Sequence, residues 1–172
     1  MIVFFIGFMG SGKTTIGKKL ANKLKFDFID LDAEIENDAQ LSITNIFNQK
    51  GEPYFRNIEQ QKLVELCARK NLVLSCGGGT PCFNNNMELM NSTGLTLYLQ
   101  LSPEALFSRL ILSQEKRPLI SNLNEAELLE FIKLKLKERA AYYLKSNLIV
   151  NGLSLNMQEL TKTILTQIAQ SE

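Results

Sequence analysis

Histidine is absent from this chain. That excludes histidine-based nucleophile systems and histidine-ligated metal centres. Net charge is scarce as well. Nineteen Lys and Arg face eighteen Asp and Glu, a balance of +1, which offers nucleic acid or an anionic membrane no electrostatic footprint. Cysteine is limited to Cys67, Cys76 and Cys82. Their spacing is not that of a metal site, and an odd count argues against a disulfide framework; small buried thiols in a reducing cytoplasm fit better. No apolar run approaches the length needed to span a bilayer. The apolar start at 1–8 has no basic leader and runs straight into Gly-Ser-Gly-Lys, so neither signal peptide nor membrane anchor is expected.

The remaining composition is ordinary for a globular protein, 45% hydrophobic and 22% charged. A chain of this size buries roughly 70% of its unfolded surface, enough for one core, so 1–172 is expected to be a single domain. Ile2–Ile6 is a short apolar, partly β-branched run and reads as a buried strand. Lys13–Leu24 carries Ile16, Leu20 and Leu24 at helical spacing, with lysines on the other face. Further strands are expected at 26–31, Leu72–Ser75, 96–101 and 148–150, with helical stretches near 41–50, 56–69, 103–112, 125–145 and 156–169. Strands alternating with helices argue for a parallel α/β sheet covered on both faces. The polar stretch 113–124, with Lys116, Arg117 and Pro118, fits no element and reads as a mobile functional loop.

Gly7-Phe8-Met9-Gly10-Ser11-Gly12-Lys13-Thr14 fits the phosphate-loop pattern G-x-x-x-x-G-K-[ST] between a strand and a helix. Glycines let the backbone wrap a polyphosphate with its N–H groups aimed inward, and the helix adds its positive end. Lys13 would neutralise the outer phosphates, and Thr14 offers a hydroxyl to Mg²⁺. Ser11 and Thr15 read as helper hydroxyls or simply as helix-start residues.

The chain holds only four aspartates, and three lie within 27–32, around the end of the second strand. In open α/β sheets ligands sit outside the carboxyl ends of the strands, where Lys13 also arrives. Asp30 suits Mg²⁺, directly or through water. Asp32 would hold an acceptor hydroxyl and take its proton. Helix N-capping is the competing role for either. Arginine is equally scarce: Arg56, Arg69, Arg109, Arg117 and Arg139. With lysine serving as the generic cation, these are candidates for planar bidentate binding of carboxylate or phosphate. Arg117, in the polar loop, is placed to close over a transferring phosphoryl group. Arg56 precedes Glu59 by three residues, so an ion pair would fix its orientation, though a plain surface pair is the alternative. Arg69 reads as a solvated helix end. Gly77-Gly78-Gly79-Thr80-Pro81 follows the third strand and reads either as a backbone cradle for the phosphoryl acceptor or as a tight strand exit.

Taken in order, GFMGSGKTT at 7–15, FIDLDAEIE at 28–36, GEPYFRNIE at 51–59, LSCGGGT at 74–80, KRPLI at 116–120 and ERAAYY at 138–143 resemble the shikimate kinase family over essentially the whole chain. The resemblance implies a three-layer α/β/α P-loop kinase fold with a five-stranded parallel sheet of order 2-3-1-4-5. It implies an acceptor-binding region near 32–61 and a lid near 113–124. It implies transfer of the γ-phosphoryl group of ATP to the 3-hydroxyl of shikimate with Mg²⁺, by a cytoplasmic monomer without nucleic-acid or membrane partners. By the same resemblance Gly10, Ser11, Gly12, Lys13, Thr14 and Thr15 hold ATP, and Thr14 and, through water, Asp30 serve the metal. Asp32 binds the acceptor hydroxyls as the base. Arg56 and Arg139 grip its carboxylate beside Gly77, Gly78 and Gly79. Arg117 contacts the ATP phosphates and Arg109 stacks on adenine. The stretch 151–156 departs from the family's adenine-contacting residues. A gluconate or nucleotide kinase and a non-catalytic nucleotide switch are the rivals. The first should lack the paired arginine grip or show a base-reading pocket, and the second lacks an N-K-x-D motif here.

Overall fold

A computed structural model describes residues 1–112, 120 and 123–170. Five strands, β1 (Ile2–Ile6), β2 (Asp27–Asp30), β3 (Leu72–Ser75), β4 (Leu95–Gln100) and β5 (Leu148–Asn151), form one sheet in the order β2-β3-β1-β4-β5. Every pairing is parallel. The helices are α1 (Lys13–Leu24), α2 (Leu31–Ala39), α3 (Ile43–Cys67), α4 (Asn86–Thr93), α5 (Pro103–Leu112), α6 (Glu125–Tyr143) and α7 (Met157–Gln170), with a 3₁₀ turn at Thr80–Cys82. The expected three-layer architecture and strand order are those observed.

A central parallel strand is buried on both faces, which is why β1 is apolar without alternation. Its period of two still sorts the core. Ile2, Phe4 and Ile6 pack with Leu72, Leu74, Leu31, Ile46 and Leu63 under α2 and α3. Val3 and Phe5 face the other way, onto Val73, Leu97, Leu20 and Ile164 under α1 and α7. A third cluster, Phe8, Leu106, Leu110, Leu128 and Ile132, anchors the phosphate loop to α5 and α6. The edge strands β2 and β5 are only partly buried.

Three segments differ from the sequence-based expectation. The stretches at 41–50 and 56–69 belong to one element, α3, bent at Gly51 (φ 81, ψ 167). Gly51 takes the left-handed turn and Pro53 restarts the helix where an N–H is not needed. Although Asp32 reads at a helix start, short α2 was not expected as a separate helical stretch. Neither was α4, which is preceded by two left-handed asparagines, Asn84 (φ 52) and Asn85 (φ 56); asparagine is among the few residues that tolerate this conformation. The capping box of Asn124 and Glu127 sets the start of α6. The expected lid at 113–124, including Arg117, lies almost entirely outside the described residues.

Gly94 joins α4 to β4 with extended backbone. A Cβ there would collide with Ile2 O and lie 2.8 Å from Phe4 Cε2. Gly94→Ala is therefore expected to destabilise the fold by about 1–3 kcal/mol. Thermal denaturation should show a melting temperature lower by roughly 2–12 °C.

Candidate active site

Because β1, β2 and β3 run parallel, their carboxyl ends open on one edge of the sheet. A cavity of about 590 Å³ lies there, lined by Lys13, Thr14, Asp30, Asp32, Gly77 and Gly78 among others. A groove of comparable size between α1 and α7, lined by Lys23, Lys162 and Leu165 among others, contains none of these groups.

The phosphate loop winds through positive φ at Gly7 (149°), Gly10 (76°) and Gly12 (100°), conformations open to glycine. Lys13, nearly buried, donates to Gly7 O and Phe8 O at 2.9 Å each. Ser11 Oγ is buried with no hydrogen-bond partner among the described residues. A buried hydroxyl left this way suits a phosphate oxygen, so the loop fits a nucleotide polyphosphate. Arg109 donates to Ser11 O at 2.7 Å and to Gly152 O at 3.3 Å, tying the loop to the segment after β5. Thr15 lies in the first turn of α1 on the cavity wall.

Asp30 holds the N-cap position of α2, yet its side chain makes no capping bond. It accepts instead from Thr14 Oγ1 at 2.8 Å. The capping alternative thus does not apply to Asp30. The pair presents two hard oxygens, the donor type Mg²⁺ prefers when nucleotide phosphates and water complete its shell. Among the described residues no group of three or more acidic or cysteine side chains is placed to hold a metal by itself. The metal would therefore need the nucleotide's oxygens too.

Asp32 lies in the first turn of α2. Burial, reinforced by the negative charges of Asp30 and Glu59 and opposed by Lys13, pushes its carboxyl up to about 6. The glycine triplet meets three side chains in turn. A Cβ at Gly77 would lie 2.8 Å from Asp32 Oδ1, one at Gly78 2.9 Å from Arg139 Nη1, and one at Gly79 2.7 Å from Arg56 Nη2. Bare backbone lets the tips of these three side chains lie against the chain, and a Cβ at any of the three would push that tip away. Arg139 Nη1 is buried without a hydrogen-bond partner among the described residues, and the Arg139 guanidinium sits 5.4 Å from the Phe8 ring. Arg56 is pinned by Glu59 (2.9 Å) and by Glu52 (2.9 Å), with Phe83 against its face at 4.0 Å. The i,i+3 pair expected from the sequence is present.

Several contributors escaped sequence reasoning. Tyr143, fully buried, donates to Gly78 O at 2.6 Å and fixes the middle of the cradle. Phe83 lies against Arg56, and Thr80 donates to Glu59; only the neighbouring glycines marked that region. Asp38 pairs with Lys62 at 2.6 Å and Arg69 with Asp27 at 3.2 Å, both away from the cavity lining.

The phosphate loop, the Thr14–Asp30 oxygen pair and the raised Asp32 carboxyl share this cavity, and the guanidinium groups of Arg139 and Arg56 stand against Gly78 and Gly79 beside it, the arrangement of a small-molecule kinase of the P-loop class. The shikimate kinase family model matches residues 9–169. A curated shikimate kinase from Bacteroides thetaiotaomicron is 42% identical over 150 residues, covering 87% of this chain and 86% of its own. A crystal structure of shikimate kinase from the same organism superimposes with a TM-score of 0.88 at 38% identity, over 99% of this chain and 97% of that one. The structure of an Acinetobacter baumannii shikimate kinase in complex with shikimate aligns at 0.83 and 32%, covering 99% and 94%. The chain belongs to the shikimate kinase family, and it is an enzyme. Among its described residues no helix is long and apolar enough to cross a membrane.

Asp32 also sets a stability signature. Its folded pKa of about 6 exceeds its ordinary 3.8, so the folded state holds the proton more tightly. Ionising it costs folding energy that accumulates between those values and is full above pH 6. Asp32→Asn removes that cost. At pH 8 the variant should be more stable than the parent by about 1–3 kcal/mol. The gain should vanish below pH 4 in chemical denaturation.

Proposed function

We propose that the enzyme transfers the γ-phosphoryl group of ATP to the 3-hydroxyl of shikimate, giving ADP and shikimate 3-phosphate on the route to chorismate and the aromatic amino acids. The observation that carries this reading is the triplet Gly77–Gly79, whose three backbones meet a carboxylate and two guanidinium groups within the reach of a phosphate loop. Shikimate bears one carboxylate and three hydroxyls, and this inventory is complementary to it. Arg139, with a buried nitrogen lacking an acceptor among the described residues, and Arg56 bind the carboxylate. Asp32 binds the ring hydroxyls and takes the proton of the attacking one; a pKa near neutrality suits that role.

Lys13 and the backbone of 10–15 hold the triphosphate, and Arg109 flanks the adenine. Phosphoryl transfer asks little covalent work of the protein; positioning and neutralisation of charge dominate. Lys13 can exchange its two loop carbonyls for phosphate oxygens without leaving its place. Thr14 and Asp30, the latter through water, would hold Mg²⁺, which would supply neutralisation of phosphate charge. Arg117 would contact the transferring group, though it lies outside the described residues. We read 1–172 as one domain with 32–61 as its acceptor-binding region. It acts as a cytoplasmic monomer with small-molecule partners, a reading supported by the three free thiols and the near-zero net charge.

An ADP-release assay with Mg-ATP and a panel of shikimate, gluconate and nucleoside monophosphates tests the reading. Turnover with shikimate alone is expected; turnover with another acceptor and none with shikimate would refute it. Lys13→Met should lower kcat by several orders of magnitude, since the transition-state charge loses its main side-chain counter-ion. Arg56→Lys should raise the shikimate KM about tenfold or more, because a lysine cannot reproduce the planar fork. An unchanged KM would place the carboxylate elsewhere.

A further inference from the structure

Arg56 offers a fork whose plane must be set before a ligand carboxylate arrives. Two acidic partners hold it in different ways. Glu52, half exposed, takes Nε at 3.1 Å and Nη2 at 2.9 Å, and is the partner that can yield to an incoming carboxylate. Glu59 is 1% exposed and holds Nη1 through Oε2. It is the fixed reference. A glutamate's terminal torsion is broad, however, so its rotamer alone does not orient the carboxylate plane. Something must hold the other oxygen.

Thr80 does so. Its hydroxyl donates to Glu59 Oε1 at 2.6 Å, and the residue is fully buried. An ionised carboxylate only accepts, so the direction of this bond is fixed. Thr80 is itself held from two sides: its N–H donates to Gly77 O at 3.1 Å and its carbonyl accepts from Asn86 Nδ2 at 3.0 Å. Its neighbour Gly79 is the backbone against which the Arg56 guanidinium lies. The chain therefore reaches Arg56 twice from one turn, once directly through Gly79 and once from behind through Thr80 and Glu59.

We infer that Thr80 is a positioning residue for the acceptor's carboxylate, orienting the Arg56 guanidinium through Glu59; this rests on the shikimate reading above. Thr80 touches neither substrate nor nucleotide in this scheme, so its removal should act on acceptor binding and leave ATP handling alone.

The test uses the full-length protein with Thr80→Val, which keeps the shape and loses the donor, and Thr80→Ser, which keeps the donor. For Val the shikimate KM should rise about tenfold, the loss expected for one hydrogen bond to a charged group. The ATP KM should stay within about twofold and kcat within about threefold. Ser should stay near the parent in all three. With the methyl ester of shikimate, which lacks the anion, parent and Val should differ less than about twofold, a pattern that a general loss of folding would not give. An unchanged shikimate KM in Val, an equal penalty on the ester, or failure of Ser to restore binding would overturn the inference. If Val gives no cooperative melting, Thr80→Ala takes its place under the same criteria, and an Ala variant that also fails to fold overturns it. Failure of the underlying reading is separate: the parent itself would then release no ADP with shikimate.

Discussion

Parallel pairing of β1 with β3, and of β3 with β2, is the constraint on which the rest depends. Three chain exits then share one edge of the sheet, and each brings a different chemistry. The β1 exit brings the phosphate loop, the β2 exit the acidic pair, and the β3 exit the glycine triplet. An antiparallel neighbour would have sent one of the three to the far edge. The apolar β1, buried on both faces, supplies the burial that makes this arrangement rigid.

The site gathers charges of both signs within a small volume. Asp30, Asp32 and Glu59 stand against Lys13, Arg56 and Arg139. Each charge is either paired, as Glu59 is with Arg56, or left able to bind, as the buried nitrogen of Arg139 is. Burial, with the charges of Asp30 and Glu59 added to it, raises the Asp32 carboxyl to about 6.

Much of this was legible in the sequence, and for physical reasons. β1 and the phosphate loop combine an apolar run with spaced glycines, a local pattern that tertiary context does not override. The paired carboxylates at 30 and 32 follow a strand, so the rule for strand ends located them. The i,i+3 spacing of Arg56 and Glu59 foretold their pair. What stayed hidden was non-local or weakly patterned. Nothing near Tyr143 announces a partner 65 residues away at Gly78. Thr80 is an ordinary turn residue until Glu59 packs against it. Helix α4 is short and rich in asparagine, and α3 carries Gly51 and Pro53, which punctuate a chain on paper yet only bend this one.

The two bonds from Lys13 to its own loop carry one more consequence. A bare buried ammonium would seize any polyphosphate and hold it, because desolvation would already have been suffered. On the function proposed above, the cation is already held by peptide oxygens, so nucleotide arrival would be an exchange of acceptors. The net gain is smaller, the side chain needs no fresh ordering, and the spent diphosphate meets a competitor for the same ammonium on its way out. Tempered affinity of this kind favours turnover over capture.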